Sequence, residues 1–555
     1  MGYIDKINRF VDNPVNLSIK RSTFARPFEH KTTFNAGKLV PIFCDEVLPG
    51  DTFNLDLSLV IRSITPAVPV MDNSFLDVYF FFVPSRLCTV HEKDWQKIFG
   101  ENVSSYWSNS SESTLDNTGN MEDINVGDIQ PTSIGAYLGL PIGHWSDGSS
   151  ATFMLSTLPL NAYRLIWNEW FRDQNLQAPI TSIYYDDACL DVCKVHDYFT
   201  SALPAPQKGD SVFLPLGNLA PVYPTSDNVK FNTNMDYLRF ASKSSSALAP
   251  INGGGNIVYK PGATPGDAYT ILDTTSSSYS GNGILPSNLW ADLRSASAIS
   301  VNALREAFAI QKLLEKDARG GTRYREMLKA HFGVSIPDAT VQVPEYLAGK
   351  RIPLNMSQVL QTSENGNSPL GTTGAFSNTF NSDKMFVKSF TEFGYIMGVA
   401  CVRTSQSYSQ GIPKMFTRNR RYDFYHPVFA NLGEQAVKTQ ELFIALDSNY
   451  DWIVSNTDVF GYQEAWAEYR YKPNLVTGGF APNAGDSVLA SWTYTNNFTA
   501  KPVLNDSFIK QPRSQVDNTL VVNNANYQFL ADFYFNLKCT RPMPLYSIPG
   551  LVDHH

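Results

Sequence analysis

The sequence predicts a mainly β fold, a β-sandwich or jelly roll, from three strand patterns near its two ends. Apolar side chains occupy alternate positions of the first pattern: Phe53, Leu55, Leu57, Leu59 and Ile61. This two-residue period is that of a strand with one buried face. The run VYFFFV at 78–83 is apolar on both faces and stops at Pro84, so we expect a strand covered on both sides. Residues 527–540 alternate again, which favours pairing of late strands with early ones.

The composition fits a large aromatic core. The 555 residues are 43% hydrophobic and 17% charged, with 35 Phe and 27 Tyr. The number of domains stays open, because all-β folds with long insertions can form one unit of this length. The net charge of −8 argues against a surface that binds polyanions everywhere, although it allows a local basic region.

Targeting and metal-binding signals are weak throughout. No apolar run approaches the roughly 18 residues of a membrane helix, and the first ten residues lack the apolar centre of a signal peptide. We therefore expect synthesis in the cytoplasm, without insertion into a membrane. The six cysteines are scattered, as is typical of reduced, mostly buried thiols. Cys189 and Cys193 have no second pair at zinc-ligand spacing, so neither a metal nor a cofactor is expected.

The first residues and the first turn follow from composition. Residues 1–27 mix polar and apolar side chains without a period, and we interpret them as an extended N-terminal arm. After a strand candidate at 39–43, the Pro-Gly pair of Leu48-Pro49-Gly50-Asp51 predicts a type II turn.

Helices are predicted as insertions between the strands. Short ones are expected at 91–99 and 161–172. The clearest runs from 302 to 318, with Asn302 as its N-cap and Gly320 as its stop, and a second, capped by Thr322, ends near residue 333.

A change of composition marks a further segment. Residues 217–288 are rich in Ser, Thr, Gly, Asn and Pro, which predicts a long surface insertion, either an ordered projection with small strands at 257–259 and 269–271 or a disordered linker. The predicted organisation is an arm (1–27), jelly-roll strands with insertions (28–216), the variable insertion (217–288), and a helical insertion with the remaining strands (289–555).

Catalytic motifs are missing from the sequence. There is no phosphate-binding G-x-x-x-x-G-K-[ST] loop, no H-E-x-x-H and no G-x-S-x-G. Glu464 and Glu468 stand at helical spacing, where surface acids on one helix face are more common than a glycosidase pair. Asp423 and His426 lack a nucleophile, so a structural hydrogen bond at a subunit contact is the better interpretation.

Two basic features could bind nucleic acid. The turn Arg319-Gly320-Gly321-Thr322-Arg323 meets a helix N-terminus, but a helix-to-helix turn with solvated or interfacial arginines is favoured over a phosphate site. The densest cationic cluster comprises Arg403, Lys414, Arg418, Arg420 and Arg421. The aromatic residues Tyr408, Phe416 and Tyr422 lie among these cations, as in single-strand binding sites. Pairing of the arginines with carboxylates of a neighbouring subunit is an equal alternative.

Seven stretches in order along the chain resemble the major capsid protein of the Microviridae, of the gokushovirus type. They are RPFEHKTTFNAGKL (26–39), FCDEVLPGDTF (43–53), YFTSALPAPQKG (198–209), LREAFAIQKLLEKDARGGTRY (304–324), residues 421–435, VFGYQEAWAEYRYKP (459–473) and RPMPLYSIPGLVD (541–553). Each stretch is long and unusual in composition. Residues 217–288 show no resemblance to the sequences of the family.

The resemblance implies a viral eight-stranded antiparallel jelly roll with long loop and helical insertions. It implies assembly of the protein with itself into a small icosahedral shell around a circular single-stranded DNA genome, inside a bacterial host. It further implies a small basic DNA-binding protein, a scaffolding protein and a pilot protein as partners. Residues 217–288 would form a threefold protrusion that contacts a host-cell receptor, and no catalytic residues are carried over.

Low charge and many aromatic residues agree with a shell subunit, because interface cores favour Tyr, Phe, Trp, Met and Arg. The alternative from other classes is a β-sandwich carbohydrate-binding or glycoside-hydrolase protein. The missing catalytic set argues against the hydrolase, and the carbohydrate-binding protein predicts a monomer, whereas a capsid protein predicts closed particles.

Overall fold

The computed structural model describes most of the chain. The described residues are 21–90, 95, 120–125, 128–143, 152–210, 212, 222–224, 240–244, 247–250, 284–286, 289–291, 301–334, 342–364, 369–371, 373–444, 454–482, 487–522 and 527–546. The predicted strands at 257–259 and 269–271 lie outside these residues, and of the predicted helix at 91–99 only residue 95 is described.

Eight long strands form the framework of the fold. They are β1 (Phe28–Phe34), β2 (Val40–Val47), β3 (Thr52–Ser63), β4 (Ser74–Pro84), β5 (Glu345–Pro353), β6 (Thr379–Ser389), β7 (Gly394–Thr404) and β8 (Phe529–Arg541). They pair antiparallel in two sheets, of order β1-β8-β3-β6 and β5-β4-β7-β2. Each sheet joins early and late strands, as in a jelly roll, so the predicted fold class is confirmed.

The strand patterns explain the inner faces of the first sheet. Along β3 and β8 buried and more exposed side chains alternate, and every predicted apolar position of both strands is buried. The register pairs Phe533 with Leu59 and Phe535 with Leu57. The predicted pairing of the closing strand with an early strand is therefore correct.

Aromatic rings join the two sheets. The ring of Phe535 in β8 lies with its centroid 5.0 Å from Phe28, 5.2 Å from Phe43 in β2 and 6.5 Å from Phe80 in β4. Phe80 also contacts Phe386 of β6, at 5.8 Å. The core thus lies between the sheets, where side chains from both interdigitate.

Strand β4 is buried on both faces, as its sequence predicts. Its inner face carries Phe80, while its outer face carries Phe81, whose ring contacts Trp170 at 5.5 Å and Phe171 at 6.2 Å. These two residues belong to a π-helical turn, Trp167–Phe171, that continues the helix Leu158–Ile166. A helical insertion therefore covers the strand that the sequence left without a polar face.

The first turn has the predicted conformation. Gly50 has φ +90°, and the amide of Asp51 donates to the carbonyl of Leu48 at 3.0 Å, as a type II turn requires. The buried Asp51 carboxylate in turn accepts from the amide of Leu48 at 2.9 Å. All six cysteines are free thiols, and four are buried, as expected.

Helices and short strands complete the described residues. The α-helices are Ser85–Cys88, Ile134–Tyr137, Leu158–Ile166, Val301–Arg319, Tyr324–Phe332, Asp506–Ile509 and Ser514–Asp517. The paired short strands are Met121–Asn125 with Thr152–Ser156, Met356–Leu360 with Thr373–Ser377, Ser407–Tyr408 with Asn474–Leu475, and Glu434–Lys438 with Val459–Glu464. Ser22–Ala25, at the end of the predicted arm, pairs with β8. Among the described residues, no helix has both the length and the apolar character needed to cross a membrane.

Three helices match the prediction, with different ends. The helix predicted at 161–172 begins three residues earlier, at Leu158. The long helix begins at Val301, so the prediction of Asn302 as its N-cap was wrong. The next helix has Arg323 at its N-cap, where the Glu326 carboxylate accepts the Arg323 amide at 3.3 Å. Thr322, the predicted cap, instead donates its hydroxyl to Asn175 at 2.9 Å.

The chain divides into two compact units. One comprises residues 1–208 with 315–555, and the other comprises residues 209–314. In the second unit Val222–Pro224 pairs with Leu289–Ala291, and Phe240–Ser244 pairs with both Ala247–Pro250 and Ile284–Pro286. Most of the predicted insertion at 217–288 lies outside the described residues, and its boundaries stay a prediction.

Candidate functional site

The structure divides the predicted basic cluster into three places. Arg403 lies near the end of β7, where its Nε donates to Asp77 at 2.7 Å and a terminal nitrogen donates to the Tyr79 hydroxyl at 2.8 Å. The other four cations lie on the loop that follows β7. This loop has short 3₁₀ turns at Lys414–Phe416, Arg421–Asp423 and Pro427–Phe429.

Lys414 and Arg418 are neutralised within the chain. Arg418 donates to Glu468 at 2.7 Å, and its guanidinium stands 4.4 Å from the ring centre of Tyr469. The Nζ of Lys414 lies 3.8 Å from Glu468 and 4.0 Å from Glu441. The side chain of Arg418 is only 10% exposed. The arginine therefore anchors the loop, through a carboxylate of its own chain rather than of a neighbour.

Glu441 is the second carboxylate beside Lys414. Burial raises the pKa of its carboxyl, while Lys414, the Lys438 amide and the Tyr198 hydroxyl act in the opposite direction. The Tyr198 hydroxyl donates to Glu441 at 3.1 Å. Tyr198 belongs to a second apolar cluster, separate from the jelly-roll core, that includes Phe199 and Tyr408.

Arg420 and Arg421 are exposed, and neither makes an ion pair within the described part of the chain. The turn that presents them is fixed by Asp423, whose carboxylate accepts the amides of Asn419 at 3.0 Å and Arg420 at 2.8 Å. These backbone hydrogen bonds lower the pKa of Asp423. Asp423 thus bonds the backbone of its own turn, and not the His426 ring that the sequence placed beside it.

The outer side of the same loop, together with residues 469–475, is strongly apolar. We define the aromatic surface as the exposed large apolar residues Met415, Phe416, Tyr422, Phe424, Tyr425, Val428, Leu432, Tyr469, Tyr471 and Leu475. Phe416 is 71% exposed, Tyr422 72% and Val428 87%. An apolar patch of this extent on a folded protein marks an interaction site.

A groove runs beneath this surface. It encloses a cavity of about 510 Å³ whose walls include Phe199, Met415, Phe416, Tyr471 and Leu475. Beside it, Tyr425 packs on Trp466 at 5.6 Å, and Phe429 stacks on the same indole at 6.5 Å. The loop is therefore preformed: its inner side chains are packed while the outer ones point to solvent.

Two other sequence predictions concern this region. Glu464 ends the strand Val459–Glu464, and Glu468 lies in the 3₁₀ turn Ala467–Tyr469, so the prediction of one helix face was wrong. Glu464 pairs with Arg470, and Glu468 with Arg418. Neither carboxylate is placed for acid–base work with the other.

The glycine-rich turn at 319–323 binds carboxylates of its own chain. Arg319 pairs with Glu434, and Arg323 pairs with Glu326 at 3.0 Å and with Glu169 at 3.7 Å. Both guanidiniums thus have internal counter-ions. This arrangement favours the helix-to-helix turn over a phosphate site.

A jelly roll that presents a preformed aromatic surface belongs to the class of subunits built to contact other proteins, as in viral shells. The sequence agrees, because it matches the family described as "Capsid protein (F protein)" over residues 14–551. The chain belongs to this phage capsid protein family.

Three relatives match almost end to end, and each is named "Capsid protein VP1". The protein of Bdellovibrio phage phiMH2K is 38% identical over 96% of this chain and 95% of its own. The relative from Chlamydia phage 1 is 36% identical over 98% of both chains, and that from Spiroplasma virus 4 is 34% identical over 96% of both. The expected relation to the Microviridae capsid protein is confirmed, and the family has a structural role in the virion capsid.

Proposed function

We propose that this capsid protein assembles through the aromatic surface with copies of itself, into a closed icosahedral shell around a circular single-stranded DNA genome. Capsid family membership supports self-assembly, and the enzymatic or carbohydrate-binding alternative is not favoured. No catalytic activity is proposed for the chain.

The aromatic surface carries this proposal. Exposed aromatic and apolar side chains of this density are characteristic of interface cores, where Tyr, Phe, Met and Arg are enriched. The cations beneath them are already paired with Glu441 and Glu468, so that a partner meets apolar rings and few unpaired charges. Because shell subunits are identical, the partner we propose is another copy of this chain.

The exposed arginines define a finer part of the proposal. Of the five predicted nucleic-acid-facing residues, Lys414 and Arg418 serve the loop anchor, while Arg420 and Arg421 stay free of ion pairs within the described residues. We propose that Arg420 and Arg421 face the packaged DNA, and Arg403 is considered separately below.

Further parts of the proposal concern the partners. We propose assembly in the cytoplasm of a bacterial host with a small basic DNA-binding protein, a scaffolding protein and a pilot protein. Residues 217–288 are proposed as the protrusion that contacts the host receptor. Deletion of 217–288 should leave particles that assemble but bind host cells poorly, and loss of the folded subunit would contradict this assignment.

Sedimentation and electron microscopy of the purified protein test the central proposal. The wild type should form closed particles of uniform size. A Phe416→Ser, Val428→Ser variant should give folded subunits that assemble poorly, because its apolar contact is lost. Phe376→Ser is the matched control, since Phe376 is exposed in the strand Thr373–Ser377 and does not belong to the aromatic surface.

Two results would contradict the proposal. Wild-type monomers under every assembly condition would argue against a shell-forming protein. Normal shells from the Phe416→Ser, Val428→Ser variant would show that the subunits meet elsewhere.

A further inference from the structure

Arg403 lies in a second site, on the outer face of the β5-β4-β7-β2 sheet. There a cleft has a volume of about 350 Å³. It is lined by Tyr79, Phe81, Trp170, Phe171, Cys193, Lys194, His196, Tyr346 and Arg403. We call it the stacking cleft. Trp170 and Tyr346 are both exposed, and their ring centroids lie 5.8 Å apart.

The two exposed rings are held in place. The Trp170 indole N–H donates to the carbonyl of Pro344 at 3.0 Å. Phe81 packs beneath both rings, at 5.5 Å from Trp170 and 5.8 Å from Tyr346. A fixed pair of exposed rings is a surface on which a planar group can stack without further ordering of the protein.

The guanidinium at the base of the cleft shares its counter-ion with a second arginine. The buried carboxylate of Asp77 is shared between Arg403 and Arg351, whose Nε donates to it at 2.7 Å. Two guanidiniums and one carboxylate leave one positive charge. Arg403 lines the cleft and Arg351 does not, so the Arg403 guanidinium brings part of this charge to the aromatic rings.

A second cavity adjoins the first. It measures about 400 Å³, is lined by Lys194, Lys501 and Lys510 with Asn496 and Ser514, and shares Lys194 with the stacking cleft. We call it the lysine cavity. Lys501 pairs with Asp458 at 2.5 Å and Lys510 with Asp506 at 2.6 Å.

Lys194 differs from the other two lysines. It is 4% exposed, its Nζ donates to Asn496 at 3.3 Å and lies 4.6 Å from the ring centre of Phe508, and no described carboxylate forms an ion pair with it. Lysines are rarely buried unless they are paired. Burial lowers its pKa to about 8, so the side chain is charged at neutral pH. Asp197 acts on this pKa in the opposite direction without forming an ion pair, so the buried ammonium group has no direct counter-ion and can bind an anion.

The residues that line the two cavities are cationic, polar or apolar. No Asp or Glu lines either of them, although Trp170 and Tyr346 also border a neighbouring cavity that contains Glu345 and Glu392. Exposed rings beside cations match the requirements of a single strand: stacking for the base and positive charge for the phosphate.

We propose that the stacking cleft and the lysine cavity together bind a short stretch of single-stranded DNA. One base stacks on the Trp170–Tyr346 pair, and an adjacent phosphate is bound by Lys194. A duplex is excluded because its bases are already stacked on one another. The inference rests on the proposed genome-enclosing function and adds to it a defined site within the jelly-roll unit.

Fluorescence anisotropy of a 12-nucleotide oligo(dT) with dissociated full-length subunits tests the site. Trp170→Ala should weaken binding about tenfold, since stacking contributes about 1–3 kcal/mol per base. Lys194→Met should weaken binding and reduce the slope of log affinity against log salt by about 0.7. Lys194→Arg should restore most of the affinity and of the salt dependence. Phe376→Ala changes an exposed ring outside both cavities and should bind like the wild type.

The possible outcomes separate this site from the proposed function. Thermal unfolding confirms that each variant is folded, and Tyr346→Ala replaces Trp170→Ala if the latter does not fold. Wild-type affinity in the ring and lysine variants would overturn the site, as would a wild type that binds no oligo(dT) at low salt. Impaired shells with unchanged oligo(dT) affinity would assign the cleft to a protein contact instead. Failure of the proposed function is seen separately, as a wild type that forms no shells.

Discussion

The interior of the jelly roll and the aromatic surface contain the same kinds of side chain in opposite positions. Phe53, Phe80 and Phe535 are buried between two sheets of one chain. Phe416, Tyr422 and Val428 project from a loop whose inner side is packed and whose outer side is exposed. The high aromatic content is thus divided between folding and, as we propose, assembly.

Backbone pairing produces this difference. In the sandwich, neighbouring strands bring alternate side chains into one face, and a second sheet covers that face. The loop after β7 has only short 3₁₀ turns, held by single contacts such as Arg418 with Glu468. Its outer rings have no covering element among the described residues. Mutations in the two regions should therefore affect different properties.

The largest expected effect is on the sandwich. Phe535→Ala should destabilise the subunit by about 3–5 kcal/mol, because it leaves a cavity among Phe28, Phe43 and Phe80. Phe416→Ala should change stability by less than about 0.5 kcal/mol, as exposed positions do. Urea unfolding of dissociated subunits measures both. Equal losses at the two positions would contradict the division between core and assembly surface.

The next effect concerns the charge that the sheet buries. Asp77→Ala should cost about 3–5 kcal/mol, because it leaves Arg403, which is mostly buried, without its counter-ion. Asp45→Ala is the control, since Asp45 pairs at 2.6 Å with the more exposed Arg26, and pairs of that kind contribute about 1 kcal/mol or less. The same urea titrations compare them. A loss below 1 kcal/mol for Asp77→Ala would show that Arg403 finds another partner.

A pH dependence tests the burial of Lys194. Below pH 8 the lysine is charged in both the folded and the unfolded chain. Between about pH 8 and its usual value of 10.5, the folded chain has released a proton that the unfolded chain still holds, so stability rises with pH. Lys194→Met should remove this rise. At pH 7 the variant should be more stable than the wild type, because it buries no charge. This difference in unfolding free energy should shrink towards pH 10, and a difference that stays constant with pH would contradict the burial of a charged amine.

The smallest effect on stability is expected at the exposed arginines. Arg420→Ala with Arg421→Ala should leave the unfolding free energy within about 0.5 kcal/mol of the wild type. If both residues face the genome, particles of this variant should contain less DNA while the shells still form. The ratio of absorbance at 260 and 280 nm in purified particles measures this. Loss of the shells themselves would favour a role of the two arginines in a subunit contact.

The strands of the sandwich were predictable because their burial follows a period of two within a few residues. This holds for β3, β4 and β8. The contacts of the basic cluster were not predictable in this way, because Glu441 and Glu468 lie 27 to 54 residues from the cations they join, in elements of a different kind. Helical spacing of Glu464 and Glu468 was misleading because Glu464 is the last residue of a strand and Glu468 lies in a separate 3₁₀ turn.

The stacking cleft was missed for a similar reason. Trp170 precedes Tyr346 by more than a hundred residues, and only the packing of both on Phe81 brings them together. Lys194 lacks any local sequence signal, since its neighbours do not reveal that it is buried. Arg403 was predicted from the sequence as a nucleic-acid-facing residue. The aromatic residues predicted beside it lie on the loop that follows β7, whereas those that share its cleft lie elsewhere in the sequence.

A cryo-EM reconstruction of the assembled particle tests the central claim most directly, through the surroundings of Phe416, Tyr422 and Val428. We expect all three side chains to be buried against a neighbouring copy of the chain. Side chains that stay exposed to solvent in the closed shell would contradict the assignment of the aromatic surface to assembly.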